Sequence, residues 1–330
     1  MLAYLIRRLI LAVLTMWAVS VLSFVIIQLP PGDYITTYIA QMSASGSFVS
    51  AQEAEALRQQ YGLDKPLYVQ YLRWMALILQ GNFGMALEYS RPVAEVIGDR
   101  LWLTMVVSVA AIVFTWLVAL PIGIYSAVRQ YSLGDYIATF VGFIGLAVPS
   151  FMLALILMYL GFTLFNANIG GLFSEELAEA PWNLAKLWDL MKHLPLPALI
   201  LGLAGTAQLI RIMRANLLDE LGKPYVVTAR ARGLPETRVI VKYPVRVALN
   251  PFASTIGYLL PYVVSGSIIV SLVLSLPTVG PLLLKALIAQ DMFLAGTIVL
   301  LLGVMTVIGT FLSDLLLLWI DPRIRFEGKQ

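Results

Sequence analysis

Seven basic side chains fall within residues 214–250 (Arg214, Lys223, Arg230, Arg232, Arg238, Lys242 and Arg246) against Asp219, Glu220 and Glu236, a local excess of about +4. Such a stretch can bind anionic headgroups or grip a protein partner; it carries no catalytic set. The rest of the reactive inventory is thin. Cys is 0, which removes thiol nucleophiles and Cys-ligated metals. His193 stands alone beside Lys192 and is expected to be structural. Gly222-Lys223-Pro224 is not a phosphate-binding loop of the G-x-x-x-x-G-K-[ST] type. No triad, metal cluster or paired carboxylate can be assembled, so catalytic residues: none, metal ligands: none. Asp314 is the clear ionisable residue within an apolar run. A carboxylate at the centre of a membrane span costs about 2.5–3.5 kcal/mol, so it is expected to be paired, with Arg323 or another base, or interfacial. One such group is a thin basis for ion coupling. Uphill transport by this chain would therefore draw its energy from another subunit.

The elements that must position these residues follow from composition. Of 330 residues 60% are hydrophobic and 12% charged; a soluble domain has roughly 45–50% apolar and about 25% charged residues. This excludes disorder, collagen and a disulfide scaffold, and predicts an all-α polytopic membrane protein. Six runs reach the roughly 20 apolar residues a transmembrane helix needs: Leu9–Leu29, Leu101–Val128, Tyr136–Phe165, Leu194–Ile212, Phe252–Leu276 and Phe293–Ile320. The first follows Arg7 and Arg8 but has too long an apolar core for a signal peptide and leads to Gln28-Leu29-Pro30-Pro31, so it reads as a retained span. With both termini in the cytoplasm, the inner side holds 14 of the 22 Lys and Arg, and most acids lie outside. The expected order is a first helix plus periplasmic segment (1–98), a five-helix permease-like domain (99–320) and a short tail (321–330). In the outer segment 30–98, Ala51–Tyr61 reads as a short polar helix and Gln70–Leu79 as an amphipathic one, punctuated by Gly62, Pro66, Gly81 and Gly84. The outer segment 166–193 carries Trp182 and Trp188, expected at headgroup level.

The basic loop is itself patterned. Tyr225–Arg232 favours helix, Gly233 suits a helix stop, and Pro235 suits the first turn of a second helix that runs to about Tyr243, before Pro244. Two short helices around a tight turn can transmit a push from a soluble partner. They can equally lie as a basic hairpin on anionic lipid.

Thr228-Ala229-Arg230-Ala231-Arg232-Gly233-Leu234, followed by Asn250-Pro251, resembles the signature loop of permeases of binding-protein-dependent ABC importers, in the dipeptide/oligopeptide/nickel group and its first-permease type. The similarity covers nearly the whole chain: Pro31-Gly32-Asp33, Tyr61-Gly62-Leu63-Asp64-Lys65-Pro66, Tyr71-Leu72-Arg73-Trp74, Gly81-Asn82-Phe83-Gly84, Pro149-Ser150-Phe151, Leu276-Pro277-Thr278-Val279-Gly280, Asp291 and Asp321-Pro322-Arg323-Ile324-Arg325 stand in the family's order. The resemblance implies a type I ABC importer permease fold in the bacterial or archaeal inner membrane, without its own ATPase site. It implies a second homologous permease subunit, two cytoplasmic ABC ATPase subunits, an extracytoplasmic solute-binding protein and membrane lipid as partners. No cofactor is expected on this chain; ATP and Mg would sit on the ATPases. Tyr225, Thr228, Ala229, Arg230, Arg232, Gly233 and Leu234 would form the ATPase-coupling loop. The family's Glu-Ala-Ala opening is here Val227-Thr228-Ala229, Ser271 stands where the group tends to carry Glu, and Thr278 replaces a Gly.

Along the fifth apolar run, Gly257, Pro261 and Ser265, then Ser267, Ser271 and Ser275, recur every four residues and would share helix faces. Ser267, Ser271 and Ser275 are read as candidates for the translocation pathway, with Pro261 and Pro149 as kinks; the alternative is bonding to their own i−4 carbonyls or small-residue packing. The expected function is half of a pathway for peptides or similar small solutes; peptides, glutathione, nickel chelates and oligosaccharides all fit the family. The alternatives are a facilitative channel or secondary carrier not driven by ATP, and a membrane enzyme or scaffold, for which no residues stand.

Overall fold

The computed structural model describes residues 2–46, 48–166, 169–254 and 267–320. The chain divides into two compact units, Leu2–Leu103 with Thr278–Val304, and Thr104–Pro277 with Met305–Gln330. In chain order the helices are α1 (Leu2–Gln28), α2 (Tyr34–Ala44), α3 (Ala51–Tyr61), α4 (Leu67–Leu79), α5 (Val93–Val128), α6 (Leu133–Ala147), α7 (Ser150–Phe165), α8 (Glu175–Ala178), α9 (Leu184–His193), α10 (Pro195–Leu221), α11 (Pro224–Ala231), α12 (Glu236–Lys242) and α13 (Pro244–Ser254), then α14 (described over 267–273), α15 (Val279–Ile288) and α16 (Met292–Ile320). Strands β1 (Met85–Ala86) and β2 (Arg91–Pro92) form a small antiparallel hairpin pairing Met85 with Pro92 and Ala86 with Arg91.

Among the described residues four helices, α1 from Arg8, α5, α10 and α16, are long and apolar enough to cross a membrane, and a fifth span is reached if α6 and α7 count as one. The middle of the fifth predicted run, 255–266, lies outside the described residues. The third is not a single kinked helix: α6 and α7 meet at 102°. The cause is local. Pro149 disfavours helical backbone at the residue before it, and Val148 is extended (φ −89°, ψ 120°). The α5 helix starts eight residues earlier than predicted, with non-helical backbone at Gly98 (φ 14°, ψ −115°). The α10 helix runs past Ile212 to Leu221, because Met213–Leu221 continues a good helix-forming pattern after apolarity fades.

In the first unit, α2 was not legible from hydropathy. Asp33 starts it with a capping box to Thr36, and Arg58 Nε donates to Asp33 at 2.8 Å, tying α3 to α2. The expected helix 51–61 is α3, closed by Gly62 in the left-handed region (φ 72°). The amphipathic α4 begins at Leu67, three residues before the predicted start, directly after Pro66. Its Trp74 is buried, and its Tyr71 packs edge-on against Phe24 of α1 with ring centroids 5.4 Å apart. Gly296 lets α16 approach: a methyl there would lie 2.8 Å from Trp74 Cζ2.

In the second unit, α10 is the central strut. Gly202 meets α5 so closely that a methyl would sit 3.0 Å from the Ala111 carbonyl. Leu209, Met213 and Leu217 are buried in one cluster with Phe252 of α13. Segment 166–193 is also structured. Lys186 is buried, donates to the Ala178 and Ala180 carbonyls at 2.9 and 2.6 Å, and lies 5.0 Å from the Phe173 ring centroid and 5.3 Å from that of Trp182. Trp182, itself exposed on its other side, thus walls a lysine cage, and Trp188 is exposed as well. His193 accepts the expected structural place: its Nδ1 is 2.9 Å from the Asp189 carbonyl.

Candidate functional site

The basic loop folds as a helical hairpin. Pro224 occupies the first turn of α11, where its missing N–H is no loss. The helix ends at Arg232, and Gly233 reverses the chain at φ +73°, a backbone that L-residues rarely adopt. Pro235 is the residue before α12 rather than inside its first turn, and α12 ends before Tyr243. Val226 and Ala229 of α11 and Val239 of α12 are buried against each other, with Leu234 and Tyr243 packed on them. The hairpin therefore has its own small apolar core, which a floppy basic linker lacks.

Polar contacts brace the same hairpin. Arg230 donates from Nη2 and Nε to Glu236 at 2.7 and 3.1 Å, joining the two helices across the turn. The Arg230 guanidinium holds the Glu236 carboxyl below its ordinary range. Both side chains are exposed, so the pair orients more than it stabilises. Thr228 Oγ1 donates to the Pro224 carbonyl at 2.9 Å within α11. Tyr225 donates to Glu220, fixing α11 against the end of α10; burial and that carboxylate push the Tyr225 hydroxyl well above its ordinary value, so it stays protonated. Ala231, Arg232 and Gly233 are exposed at the tip. The seven residues singled out in the sequence thus divide by role: Ala229 and Leu234 face inward, Tyr225, Thr228 and Arg230 brace, and Arg232 and Gly233 form the tip.

The serine set is less uniform than its spacing. Ser267 and Ser271 are buried on α14. Ser275 does not share their helix face: α14 stops at 273, and Ser275 is exposed in left-handed backbone (φ 53°). Leu276 N–H closes the turn by donating to the Ser271 carbonyl at 2.8 Å, and Leu276 is held out of helix by Pro277 after it. Pro261 lies outside the described residues, as does Arg323, the base expected near Asp314. Asp314 is half-buried on α16.

Two buried carboxylates had no role assigned from the sequence: Asp135 went unread, and Asp291 stood only among the residues of the family resemblance. Asp135 was placed one residue ahead of an apolar run, yet its side chain is 4% exposed and takes both Arg214 Nε (3.1 Å) and Nη2 (3.0 Å). An acid at the rim of one apolar run and an Arg at the rim of another was the available signal. Asp291 is fully buried. Its Oδ2 accepts the Leu87 and Glu88 N–H groups at 2.6 and 3.2 Å, and its Oδ1 accepts Leu294 N–H at 3.1 Å. It links the β1–β2 hairpin to the start of α16.

Comparison with known proteins places the chain in a family. The model of the family described as binding-protein-dependent transport system inner membrane component matches residues 119–326, and that of the N-terminal membrane component of the same systems matches 1–110. The oligopeptide transport system permease protein AppB of Bacillus subtilis (strain 168) is 35% identical over 328 residues, 99% of this chain and 100% of AppB. The glutathione transport system permease protein GsiC of Escherichia coli (strain K12) is 33% identical over 331 residues, 99% of this chain and 100% of GsiC. The chain belongs to the inner membrane component family of binding-protein-dependent transport systems, the permease subunits of ABC importers.

Proposed function

We propose that this permease imports peptides or similar small solutes, with energy supplied by ATP hydrolysis on partner subunits. The reading has six spans with both termini in the cytoplasm, a second homologous permease subunit, two ABC ATPases beneath and a solute-binding protein on the outer face. The α11–Gly233–α12 hairpin is the ATPase-coupling element. The observation that carries this is the hairpin's own core of Val226, Ala229 and Val239, beneath an exposed basic tip. Such a body moves as a unit when gripped. The peptide class is supported by relatives named for oligopeptide and glutathione transport.

The same reading assigns the translocation path to Ser267 and Ser271 on α14, without Ser275, and with Pro261 and Pro149 as its bends. Ser271 is 0% exposed within this chain, so it reaches the path only in a state that opens the packing around α14. Asp291, Tyr34 and the β1–β2 hairpin then fall on the outer side, and Asp135 and Arg214 on the inner side.

The test is affinity purification of the tagged chain from its own host in mild detergent, followed by reconstitution in nanodiscs. Expected are co-purifying ATPases whose MgATP hydrolysis rises several-fold with the cognate binding protein. Passive solute flux through the purified chain, with no ATPase attached, would favour a channel or carrier instead.

A further inference from the structure

The α6 and α10 helices are joined in two ways. Along their middles the join is steric: a methyl at Gly142 would touch Ala207 Cβ at 3.6 Å, and one at Gly145 would fall 2.9 Å from Leu203 Cγ. Close apolar packing resists compression but offers little against sliding or pulling. At the base of α6 the join is directional. The Arg214 fork holds both oxygens of Asp135 at 3.1 and 3.0 Å. Bidentate Arg–carboxylate pairs fix orientation as well as distance.

The acid is itself anchored. Asp135 Oδ2 accepts Tyr131 N–H at 3.0 Å, and its own N–H donates to the α6 cap Ser132 Oγ at 3.2 Å. Tyr131 is held in left-handed backbone (φ 62°), which persists only where surrounding contacts over-determine it. Arg214 lies on the last two turns of α10, which leads directly to α11. At its far end α6 breaks at Val148–Pro149 into α7. The ion pair therefore connects the root of the coupling hairpin to the base of the broken helix.

We propose that Arg214 and Asp135 are positioning residues for transport: their ion pair carries the displacement of the α11–α12 hairpin from α10 into α6 and so to the α6–α7 break. The inference rests on the coupling role proposed above. A Met or Leu pair of similar volume would preserve packing but lose the directional fork.

The chain has no Cys, so a single reporter is clean. Ser150→Cys, at the start of α7, is labelled with a bimane fluorophore in the assembled nanodisc complex. Its emission is compared without nucleotide and after MgADP–vanadate trapping. The parent complex is expected to show a clear shift on trapping. In the Asp135→Asn complex, MgATP hydrolysis should stay within about threefold of the parent while the trapping shift falls at least threefold. The double variant Asp135→Arg/Arg214→Asp should recover part of it. A merely structural pair would lose assembly, hydrolysis and shift together, with no dissociation between them. Equal shifts in parent and Asp135→Asn overturn the inference, as does a parent that shows no shift, or failure of every variant to assemble. If the parent itself hydrolyses no ATP, it is the underlying coupling reading that fails, and this inference falls with it.

Discussion

Asp291→Asn is expected to abolish a fall in stability that the parent chain shows as pH rises from 4 to 7. Burial, opposed by the Leu294, Glu88 and Leu87 N–H groups, pushes the Asp291 carboxyl up to about 6 from an ordinary 3.8. The Glu88 carboxylate works in the same direction, and Tyr34 nearby stays a neutral hydroxyl, its own value pushed up to about 12. A folded value above the unfolded one means that the native chain holds the proton more tightly. The resulting stabilisation is fully present below about pH 4 and is lost as pH rises through about 6, roughly 3 kcal/mol in all. The amide of the Asn variant cannot titrate, so its thermal midpoint in detergent should lack the fall between pH 4 and 7 that Asp291 contributes, leaving only the opposite slope of carboxylates held low, such as Glu236. A parent-like slope in Asp291→Asn would place the titrating group elsewhere. Asp291→Ala is the more severe change. It strands three N–H groups, those of Leu87, Glu88 and Leu294, at about 1–3 kcal/mol for each that stays buried. Loss of protection at the Leu87 and Glu88 amides in hydrogen exchange is the readout, because the β1–β2 hairpin loses its tie to α16.

The second large effect is expected at the hairpin tip. Gly233 has φ +73° and nothing within 4 Å of an added methyl, so the penalty of a side chain there is conformational rather than steric crowding by neighbours. Left-handed backbone costs an ordinary L-residue about 1–2 kcal/mol, and a β-branched one more. Gly233→Val should therefore re-angle α11 against α12 and open the Val226–Val239 contact. ATPase recovered with the tagged chain is expected to drop at least tenfold, while the chain's own yield holds. Gly222→Ala is the matched control, since Gly222 has ordinary right-handed backbone (φ −84°) and equal space. Parent-level ATPase recovery with Gly233→Val would remove the turn from the coupling element. Glu236→Gln makes a useful contrast. It removes only the charge of an exposed, solvent-screened pair, so any large loss of ATPase with that variant reports docking rather than folding.

The parts of the molecule that were legible in the sequence are those written in backbone chemistry. Gly233 and Pro235 mark the hairpin because φ and a missing N–H act locally. Ala51–Tyr61 was readable because Ser50 and Gly62 mark its ends. The break at Pro149 was readable as a bend but not as a 102° corner, because a proline marks where helical backbone is disfavoured without fixing the angle between the two pieces. Serine spacing misled at Ser275 because periodicity assumes that a helix continues, and Leu276-Pro277 ended it. The ion pair of Asp135 and Arg214 left only a faint signal, an acid and an Arg at the rims of separate apolar runs, for a different reason. The partners are 79 positions apart, and only the crossing of α6 and α10 brings them together. Lys186 went unread for the same reason; its cage of carbonyls and rings exists only once 166–193 has folded.

The central claim is that ATP-driven force enters this permease through the α11–α12 hairpin. Its most direct test uses the absence of native cysteine. Thr228→Cys, on the exposed side of α11, and Thr37→Cys, on α2, are introduced singly into the tagged chain in its native complex. A short bismaleimide-type crosslinker is applied with and without MgADP–vanadate, once a cysteine is placed on the ATPase surface. The account predicts a permease–ATPase adduct from Thr228→Cys whose yield changes with trapping, and none from Thr37→Cys. Adduct formation from neither position, in a complex that still contains the ATPases, would contradict it.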